Sequence, residues 1–152
     1  MSSTKPHTPR SILDKFYAAE LVYMSAAPED RDFNGMAAVL SKDTLLQQTP
    51  GLPYAGTYVG PQGMQDWAQR MADYFDVVDV QNPEIFEREG SNKIVSLSKL
   101  HLRVRKTSEE LDFPMCQVIT VDLDAGVIVG MQPFYWDVYE LNRAVGYKKE
   151  TQ

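Results

Sequence analysis

The period of the hydrophobic pattern changes once along the chain, and this change limits the folds that the chain can form. Before Tyr74 apolar residues recur every three or four positions, as in helices, and after Asp76 they recur about every second position, as in strands. Helices that precede a run of strands predict an α+β fold and exclude the alternating order of a parallel Rossmann-type sheet. The length of 152 residues suits one domain, which we expect to cover residues 11–147 between tails at 1–10 and 148–152.

Three helices are predicted before the main run of strands. The first begins at Ser11 and ends before Pro28, with Glu20 at the edge of its apolar stripe, where we expect the carboxylate to reach solvent. The second covers 32–40, and the third begins at Pro61, because proline is favoured in the first turn of a helix. The apolar stripe of the third helix consists of aromatic and methionine side chains: Met64, Trp67, Met71, Tyr74 and Phe75.

The strands are predicted from residues that alternate between apolar and polar. One early strand lies at 43–50, before a turn-rich segment at 51–63 with four glycines and two prolines. Four more strands, joined by short segments typical of hairpins, are predicted at 77–89, 93–106, 112–123 and 127–136. A strongly curved, mostly antiparallel sheet that wraps around the three helices would form a cone-shaped barrel with an internal cavity.

Charge and cysteine content argue against several classes of function. A net charge of −6 disfavours nucleic acid, whose phosphates require a basic surface, and also a polybasic membrane contact. The single Cys116 leaves no internal disulfide and the polar N-terminus has no signal-peptide core, so we expect a cytoplasmic protein. The two histidines do not have metal-ligand spacing and no glycine-rich phosphate loop occurs, so we expect neither a metal nor a cofactor.

Three stretches of the chain resemble the nuclear transport factor 2-like superfamily, in particular its SnoaL-like branch, which includes polyketide cyclases. LPYAGTYVGPQGM is similar to the loop into the family's third helix, ITVDLDAGVIVG to its last hairpin, and FYWDVYEL to its closing strand end. The likeness covers about residues 12–145 and implies a cystatin-like α+β cone, usually a homodimer in which a second copy covers the outer sheet face. It does not imply one reaction, because the superfamily contains cyclases, isomerases, epoxide hydrolases, dehydratases and binding proteins.

A finer resemblance is to the limonene-epoxide-hydrolase type, through LSKDTLLQQTP and SNKIVSLSKLHLRV. The first-strand Tyr and Asn that hold the water in that group correspond to a leucine and Gln48 here. Its cavity-strand Arg-x-Asp pair corresponds to Lys99 and His101, and its last-strand Asp falls near Pro133 or Phe134. Only part of that pattern is present, so the resemblance leaves epoxide hydrolysis as an alternative.

The orientation of the strand at 93–106 decides the role of His101. Alternation alone places the face with Leu100 in the core and the face with Lys99, His101 and Arg103 in water. The family alignment implies the reverse orientation. In the cavity, His101 would act as general acid–base, because an imidazole titrates near neutral pH, and Lys99 would bind an enolate or carboxylate oxygen.

Further side chains are predicted to line or contact the pocket. The amides of Gln48, Gln117 and Gln132 would orient a carbonyl or hydroxyl group, because an amide both donates and accepts hydrogen bonds. Gln117 lies on an otherwise apolar strand face and therefore needs a polar partner. The remaining candidates are two loop tyrosines near the mouth, an apolar wall and a cation on the His101 face: Tyr54, Tyr58, Trp67, Met71, Tyr74, Met115, Phe134, Trp136 and Arg103.

Asp137 follows three aromatic residues and has two interpretations. Glu140 lies three residues further on, which is the spacing of a capping box, so the residues favour Asp137 as the N-cap of a last helix. The resemblance to SnoaL-like cyclases implies instead that Asp137 is an acid–base partner of His101.

Together these residues predict a cofactor-independent enzyme of secondary metabolism. It would be a cyclase or isomerase that moves protons beside a carbonyl of a polyketide- or terpenoid-like substrate. The alternatives are an epoxide hydrolase of the same fold and a non-catalytic dimer module that binds a hydrophobic ligand. The expected partner is a small hydrophobic molecule with carbonyl or epoxide groups, and not nucleic acid or a membrane.

Overall fold

A computed structural model describes residues 7–148 of the chain, and the elements follow the predicted order of helices before strands. The helices are α1 (Pro9–Ser25), α2 (Asn34–Ala37), α3 (Gly60–Tyr74) and α4 (Val138–Val145), with one 3₁₀ turn at Pro28–Asp30. The strands are β1 (Leu40–Gln48), β2 (Gly56–Val59), β3 (Phe75–Glu87), β4 (Lys93–Val104), β5 (Glu110–Asp122) and β6 (Val127–Tyr135). Of the predicted tails at 1–10 and 148–152, residues 1–6 and 149–152 lie outside the described residues, and Pro9 and Arg10 already belong to α1.

The six strands form one sheet in the order β2-β1-β6-β5-β4-β3. All neighbouring strands are antiparallel except β1 and β6, which are parallel. The inner face of the curled sheet packs against α1 and α3, and the core lies between these layers. The predicted α+β cone is therefore confirmed. No helix within residues 7–148 is long and apolar enough to cross a membrane.

The ends of the early elements differ from the prediction. α1 begins at Pro9, because Thr8 caps it and forms a reciprocal capping box with Ser11. The predicted helix at 32–40 is too long, since α2 covers four residues and Leu40 already pairs with β6. The turn-rich segment contains the short strand β2, which pairs with the end of β1 and was not predicted.

Strand β4 has the orientation that alternation alone predicts. Ser96, Ser98 and Leu100 are buried on its inner face, while Lys99 is exposed and His101 half-buried on the outer face. The orientation implied by the family alignment is therefore wrong for this strand. Alternation is the stronger signal here because every second residue of a strand points to the same side.

A bulge in β6 reverses the predicted face of the last strand. Ile128 pairs with Val121 and Gly130 pairs with Thr120, so Val129 is one extra residue on β6. After the bulge the inward residues have odd numbers, beginning with Met131 and ending with Tyr135. The prediction that the even-numbered Gln132, Phe134 and Trp136 line the pocket is wrong, because all three are exposed.

Arg105, just after β4, joins the ends of both long helices to the sheet. Its guanidinium donates to the backbone oxygens of Met24 in α1, Ala72 in α3 and Phe75 at the start of β3. The last carbonyl groups of a helix have no partner within the helix, so a cation there satisfies them and opposes the negative end of the helix dipole. This contact joins the C-terminal ends of α1 and α3 to the start of β3.

Candidate functional site

A narrow cavity lies between α1, α3 and the inner face of the sheet. The volume in which the centre of a water molecule can lie is only about 10 Å³. The cavity therefore has room for about one water molecule. Most of its wall is apolar, with a small number of polar side chains. The lining residues are Glu20, Gln48, Trp67, Met71, Val78, Val80, Leu100, Met115, Gln117, Met131, Pro133 and Tyr135.

Glu20 supplies the only carboxyl group of this lining. It lies on the inner stripe of α1, four residues after Phe16 and four before Met24, and only 5% of it is exposed. Within residues 7–148 it makes no hydrogen bond and no ion pair, so nothing compensates its charge. Burial, together with the nearby Asp79 charge, raises the pKa of Glu20 to about 8. The expectation that this carboxylate reaches solvent is wrong, because its helical position is central in the stripe.

Two tyrosines form a hydrogen-bonded pair next to this carboxyl group. The Tyr54 hydroxyl donates to the Tyr135 hydroxyl over 2.9 Å, which leaves the Tyr135 proton for another acceptor. Burial raises the pKa of both hydroxyls, and the Glu20 charge raises them further. Both tyrosines therefore remain protonated donors at neutral pH, and both lie within electrostatic reach of Glu20.

A second polar cluster orients Gln117 on β5. The Tyr17 hydroxyl donates a short hydrogen bond to Gln117 Oε1 and lies 3.2 Å from Ser96 Oγ. The Gln117 amide nitrogen lies 3.6 Å from the sulfur of Met131. Burial raises the pKa of Tyr17 above its ordinary value, so it too stays a donor. The polar partner that Gln117 was predicted to need is Tyr17, which the sequence did not single out.

The loop that carries Tyr54 is attached to α3. The Tyr58 hydroxyl donates to the Tyr54 backbone oxygen over 2.9 Å and accepts from Arg70 Nη1 at 2.8 Å. Arg70 Nη2 also donates to the Pro53 oxygen at 3.2 Å. Tyr54 and Tyr58 are buried rather than placed at a mouth, and Tyr74 packs against Tyr54 without lining the cavity.

The structure brings part of the predicted site together. The predicted pocket residues that line the cavity are Gln48, Trp67, Met71, Met115 and Gln117. They come from β1, α3 and β5. Periodicity placed the residues of α3 and β5 on apolar faces, and the family resemblance placed Gln48 inward. Their role in substrate binding stays a prediction.

His101, Lys99 and Arg103 do not reach this cavity. His101 Nδ1 lies 2.8 Å from Asp112 and Nε2 lies 3.5 Å from Glu110, so the ring bridges two carboxylates on the outer face. Lys99 lies 3.6 Å from Asp112, and the His101 contact holds the pKa of Asp112 below its ordinary value. The prediction that His101 and Lys99 work inside the cavity is wrong in its placement, because the outer face of β4 carries them.

Arg103 belongs to the same outer face. Its guanidinium forms two hydrogen bonds to the Asp76 carboxylate at 2.9 and 3.0 Å. The pair leaves Arg103 no path to the cavity on the opposite side of the sheet. The proposed substrate contact of Arg103 is therefore wrong in its placement.

Asp137 is the N-cap of α4, as the residue spacing favours. Its carboxylate accepts from the Glu140 backbone N–H over 2.9 Å. Glu140 does not complete a capping box, because its carboxylate pairs with Arg143. With His101 on the outer face of β4 and this cap at the start of α4, the geometry gives no support to an acid–base pair of the two.

The polar residues in or beside the cavity that the sequence analysis did not place there are Glu20, Tyr17 and Tyr135. Glu20 has a detectable signal, since a carboxylate at the centre of a helical apolar stripe is buried when the stripe is buried. Tyr135 has none, because its inward direction depends on the bulge in β6. Among residues 7–148 no group of three or more His, Cys, Asp and Glu side chains is placed to hold a metal ion.

Comparison with known proteins identifies the fold. No family model matches the chain, and no curated protein matches its sequence. A nuclear transport factor 2-like protein of unknown function from Burkholderia pseudomallei is 18% identical, with a TM-score of 0.70 over 90% of this chain and 95% of that one. A proposed isomerase from Bacillus subtilis is 14% identical, with a TM-score of 0.71 over 92% and 95%. A proposed SnoaL-like polyketide cyclase from Shewanella denitrificans is 13% identical, with a TM-score of 0.62 over 84% and 91%.

Proposed function

We propose that this chain, which has the nuclear transport factor 2-like fold, is a cofactor-independent isomerase or cyclase that moves a proton beside a carbonyl group. The observation that carries the proposal is the isolated Glu20 carboxyl in an apolar cavity, next to the Tyr54–Tyr135 donor pair. An acid–base group with a perturbed pKa in a cleft is typical of a catalytic site. Glu20 replaces His101 as the proposed proton acceptor.

In the proposed reaction Glu20 accepts a proton from the carbon next to a substrate carbonyl. With a pKa of about 8 the carboxylate is a stronger base than an ordinary glutamate, and at pH 7 about a tenth of the molecules carry it ionised. The C–H electrons move to the carbonyl oxygen, and the enolate that forms accepts the Tyr135 hydroxyl hydrogen bond. Tyr54 donates to Tyr135 and so stabilises the charge that develops there.

The enolate then has two chemical outcomes. Glu20 returns its proton to another carbon, which completes an isomerisation. Alternatively, the enolate carbon attacks a second carbonyl and forms a ring, and the oxygen of that second carbonyl takes the proton from Glu20. Both outcomes need a site that excludes water, and the apolar lining supports this. Three methionines, Met71, Met115 and Met131, line the narrow cavity, and their flexible side chains let it widen for a substrate. A polyketide- or terpenoid-like substrate of secondary metabolism agrees with this apolar wall, and a polyketide agrees with the name of the similar Shewanella denitrificans structure.

Proton exchange beside a ketone carbonyl tests the proposal without the natural substrate. In D₂O the protein should catalyse loss of the α-proton NMR signals of a small ketone. Glu20→Gln should slow this exchange by about 10²–10⁴-fold, the usual contribution of a general base. The exposed Glu29→Gln is the matched control and should leave the rate unchanged. Equal rates for the wild type and Glu20→Gln would rule out Glu20 as the base.

Epoxide hydrolysis is a second candidate, because the cavity has room for about one water beside the Glu20 carboxyl. In that reaction the carboxylate would activate the water, which opens the epoxide to a diol. Incubation with 1-methylcyclohexene oxide separates the two reactions. Diol formation that depends on Glu20, without ketone exchange, would favour the hydrolase. A protein that binds these probes and converts neither would be the non-catalytic binding module.

We also propose that a second copy of the chain covers the outer face of the sheet. Leu97 of β4 at 42% and Phe134 of β6 at 48% exposure are large apolar side chains on this face, and both lie beside Cys116 of β5. Light scattering should give the mass of a dimer for the wild type and of a monomer for Leu97→Glu. Val22→Glu, on the exposed side of α1, is the control. A dimer that persists in Leu97→Glu would place the contact elsewhere.

A further inference from the structure

Two buried polar atoms on the cavity wall have no hydrogen-bond partner within residues 7–148: Trp67 Nε1 and Gln48 Oε1. Trp67 is 2% exposed and Gln48 is 6% exposed, so bulk water does not reach them freely. The indole N–H can only donate, and the amide oxygen can only accept. A buried polar atom without a partner destabilises the protein, so on the wall of a cavity it is a position at which a bound molecule gains a hydrogen bond.

Apart from Glu20, the other polar side chains of the cavity, Gln117 and Tyr135, are partnered by neighbours. Gln117 Oε1 accepts from Tyr17, and the Tyr135 oxygen accepts from Tyr54. Trp67 Nε1 on α3 and Gln48 Oε1 on β1 therefore offer one free donor and one free acceptor to whatever fills the space. A water molecule has the size and the bonding capacity to satisfy both. A ligand that displaces such a water binds well only if it reproduces those bonds.

The charge of the lining limits the ligand further. None of the lining residues is a lysine, arginine or histidine, and Glu20 is the single ionisable acid among them besides the tyrosine. An anionic ligand would lie next to Glu20 and near Asp79 without a compensating cation. A neutral ligand has no such cost.

We propose that the ligand of this cavity is a neutral hydroxylated carbonyl compound, such as a hydroxy ketone. An oxygen atom of the ligand accepts from the Trp67 indole N–H, and a ligand hydroxyl donates to the Gln48 amide oxygen. The inference rests on the proposed function only for the reacting carbonyl, which accepts from Tyr135. The hydroxyl requirement follows from Trp67 and Gln48 alone.

The test compares two probes that differ in one hydrogen-bond donor: 4-hydroxy-2-butanone and its methyl ether, 4-methoxy-2-butanone. The hydroxy ketone should bind the wild type about threefold to tenfold more tightly, the effect of one hydrogen bond. Gln48→Met should abolish this preference, while the exposed neighbour Gln47→Met should retain it. Equal affinities of the two probes, or no binding of the hydroxy ketone, would overturn the inference.

The chain contains two tryptophans, so nitrogen-15 labelling gives two indole N–H signals. The Trp67 proton should move to lower field when the hydroxy ketone binds, whereas that of Trp136, which is 77% exposed, should not move. Trp67→Phe should weaken binding of both probes by about threefold to tenfold. An unchanged Trp67 signal at saturation would show that this donor does not bond the ligand and would overturn that part of the inference.

The same samples separate the inference from the proposed function. Hydroxyl preference without Glu20-dependent proton exchange would support the ligand class and overturn the catalytic role of Glu20. Proton exchange without hydroxyl preference would support the catalytic role and overturn the ligand class.

Discussion

Replacement of Glu20 by glutamine should make the protein more stable at neutral pH and remove a large part of its pH dependence. Glutamine has nearly the shape of a protonated glutamic acid but cannot ionise. The wild-type carboxyl has no hydrogen bond or ion pair within residues 7–148 that would stabilise its charged form. The pH dependence of the unfolding free energy should therefore differ between the two proteins only at pH values at which Glu20 ionises in the unfolded or the folded wild type.

The sign and size of this difference in unfolding free energy follow from the pKa of Glu20, which folding raises from 4.5 to about 8. The folded protein binds this proton more tightly than the unfolded chain, so the stabilisation is complete below pH 4.5 and is lost as the pH rises through 8. Each pH unit between these values lowers the wild-type stability by about 1.4 kcal/mol, which gives about 3 kcal/mol at pH 7 and about 5 kcal/mol above pH 8. At pH 7 the midpoint of thermal unfolding should be about 10 °C higher for Glu20→Gln.

Urea unfolding of both proteins at a series of pH values from 4 to 9 measures this difference directly. The two curves of unfolding free energy against pH should meet near the acid end and separate as the pH rises. The exposed Glu29→Gln should follow the wild type throughout. Parallel curves for the wild type and Glu20→Gln would refute the reasoning, because they would mean that Glu20 ionises as easily in the folded protein as in the unfolded chain.

Three further substitutions test other parts of the structure. Arg105→Met should lower the free energy of unfolding, measured in urea, by about 2–3 kcal/mol, because three backbone oxygens, in α1, in α3 and at the start of β3, lose a charged donor. The exposed Lys106→Met is the control, and equal losses in the two variants would contradict this role. Asp137→Ala should lower the free energy of unfolding by about 1 kcal/mol, because α4 loses its N-cap. Asp137→Asn should retain most of this stability, because asparagine is also a good N-cap residue. His101→Ala should leave the rate of ketone proton exchange unchanged, because the ring lies on the outer face of the sheet with Asp112. A large loss of rate would show that His101 contributes to catalysis.

The strands after Asp76 were predictable because their alternation is long and regular. β4 and β5 lie within a few residues of the predicted ranges, and the apolar face of β5 that contains Met115 and Gln117 is buried as expected. The same periodicity argument identified Trp67 and Met71 on α3, which line the cavity. The short elements were less predictable, since α2 and β2 have four residues each and depend on their pairing with longer neighbours.

The candidate site was only partly predictable, because its side chains are brought together by contacts between distant segments. Tyr54 reaches Tyr135 across 81 positions of the chain, and Tyr17 reaches Gln117 across 100. The family resemblance also gave a wrong prediction where it disagreed with the local alternation of apolar and polar residues. It placed His101 in the cavity although the alternation of β4 favoured the outer face.

The local spacing of apolar residues was sufficient to predict the α+β class, the long helices, the main strands and part of the apolar wall. Which polar groups share the cavity depends on contacts between distant segments of the chain. One extra residue in β6 turned Tyr135 inward and Trp136 outward, because a bulge changes which side of the sheet every later residue faces. Burial without a partner gave Glu20 its raised pKa, since the free energy of a charge depends on its surroundings and not on its neighbours in sequence.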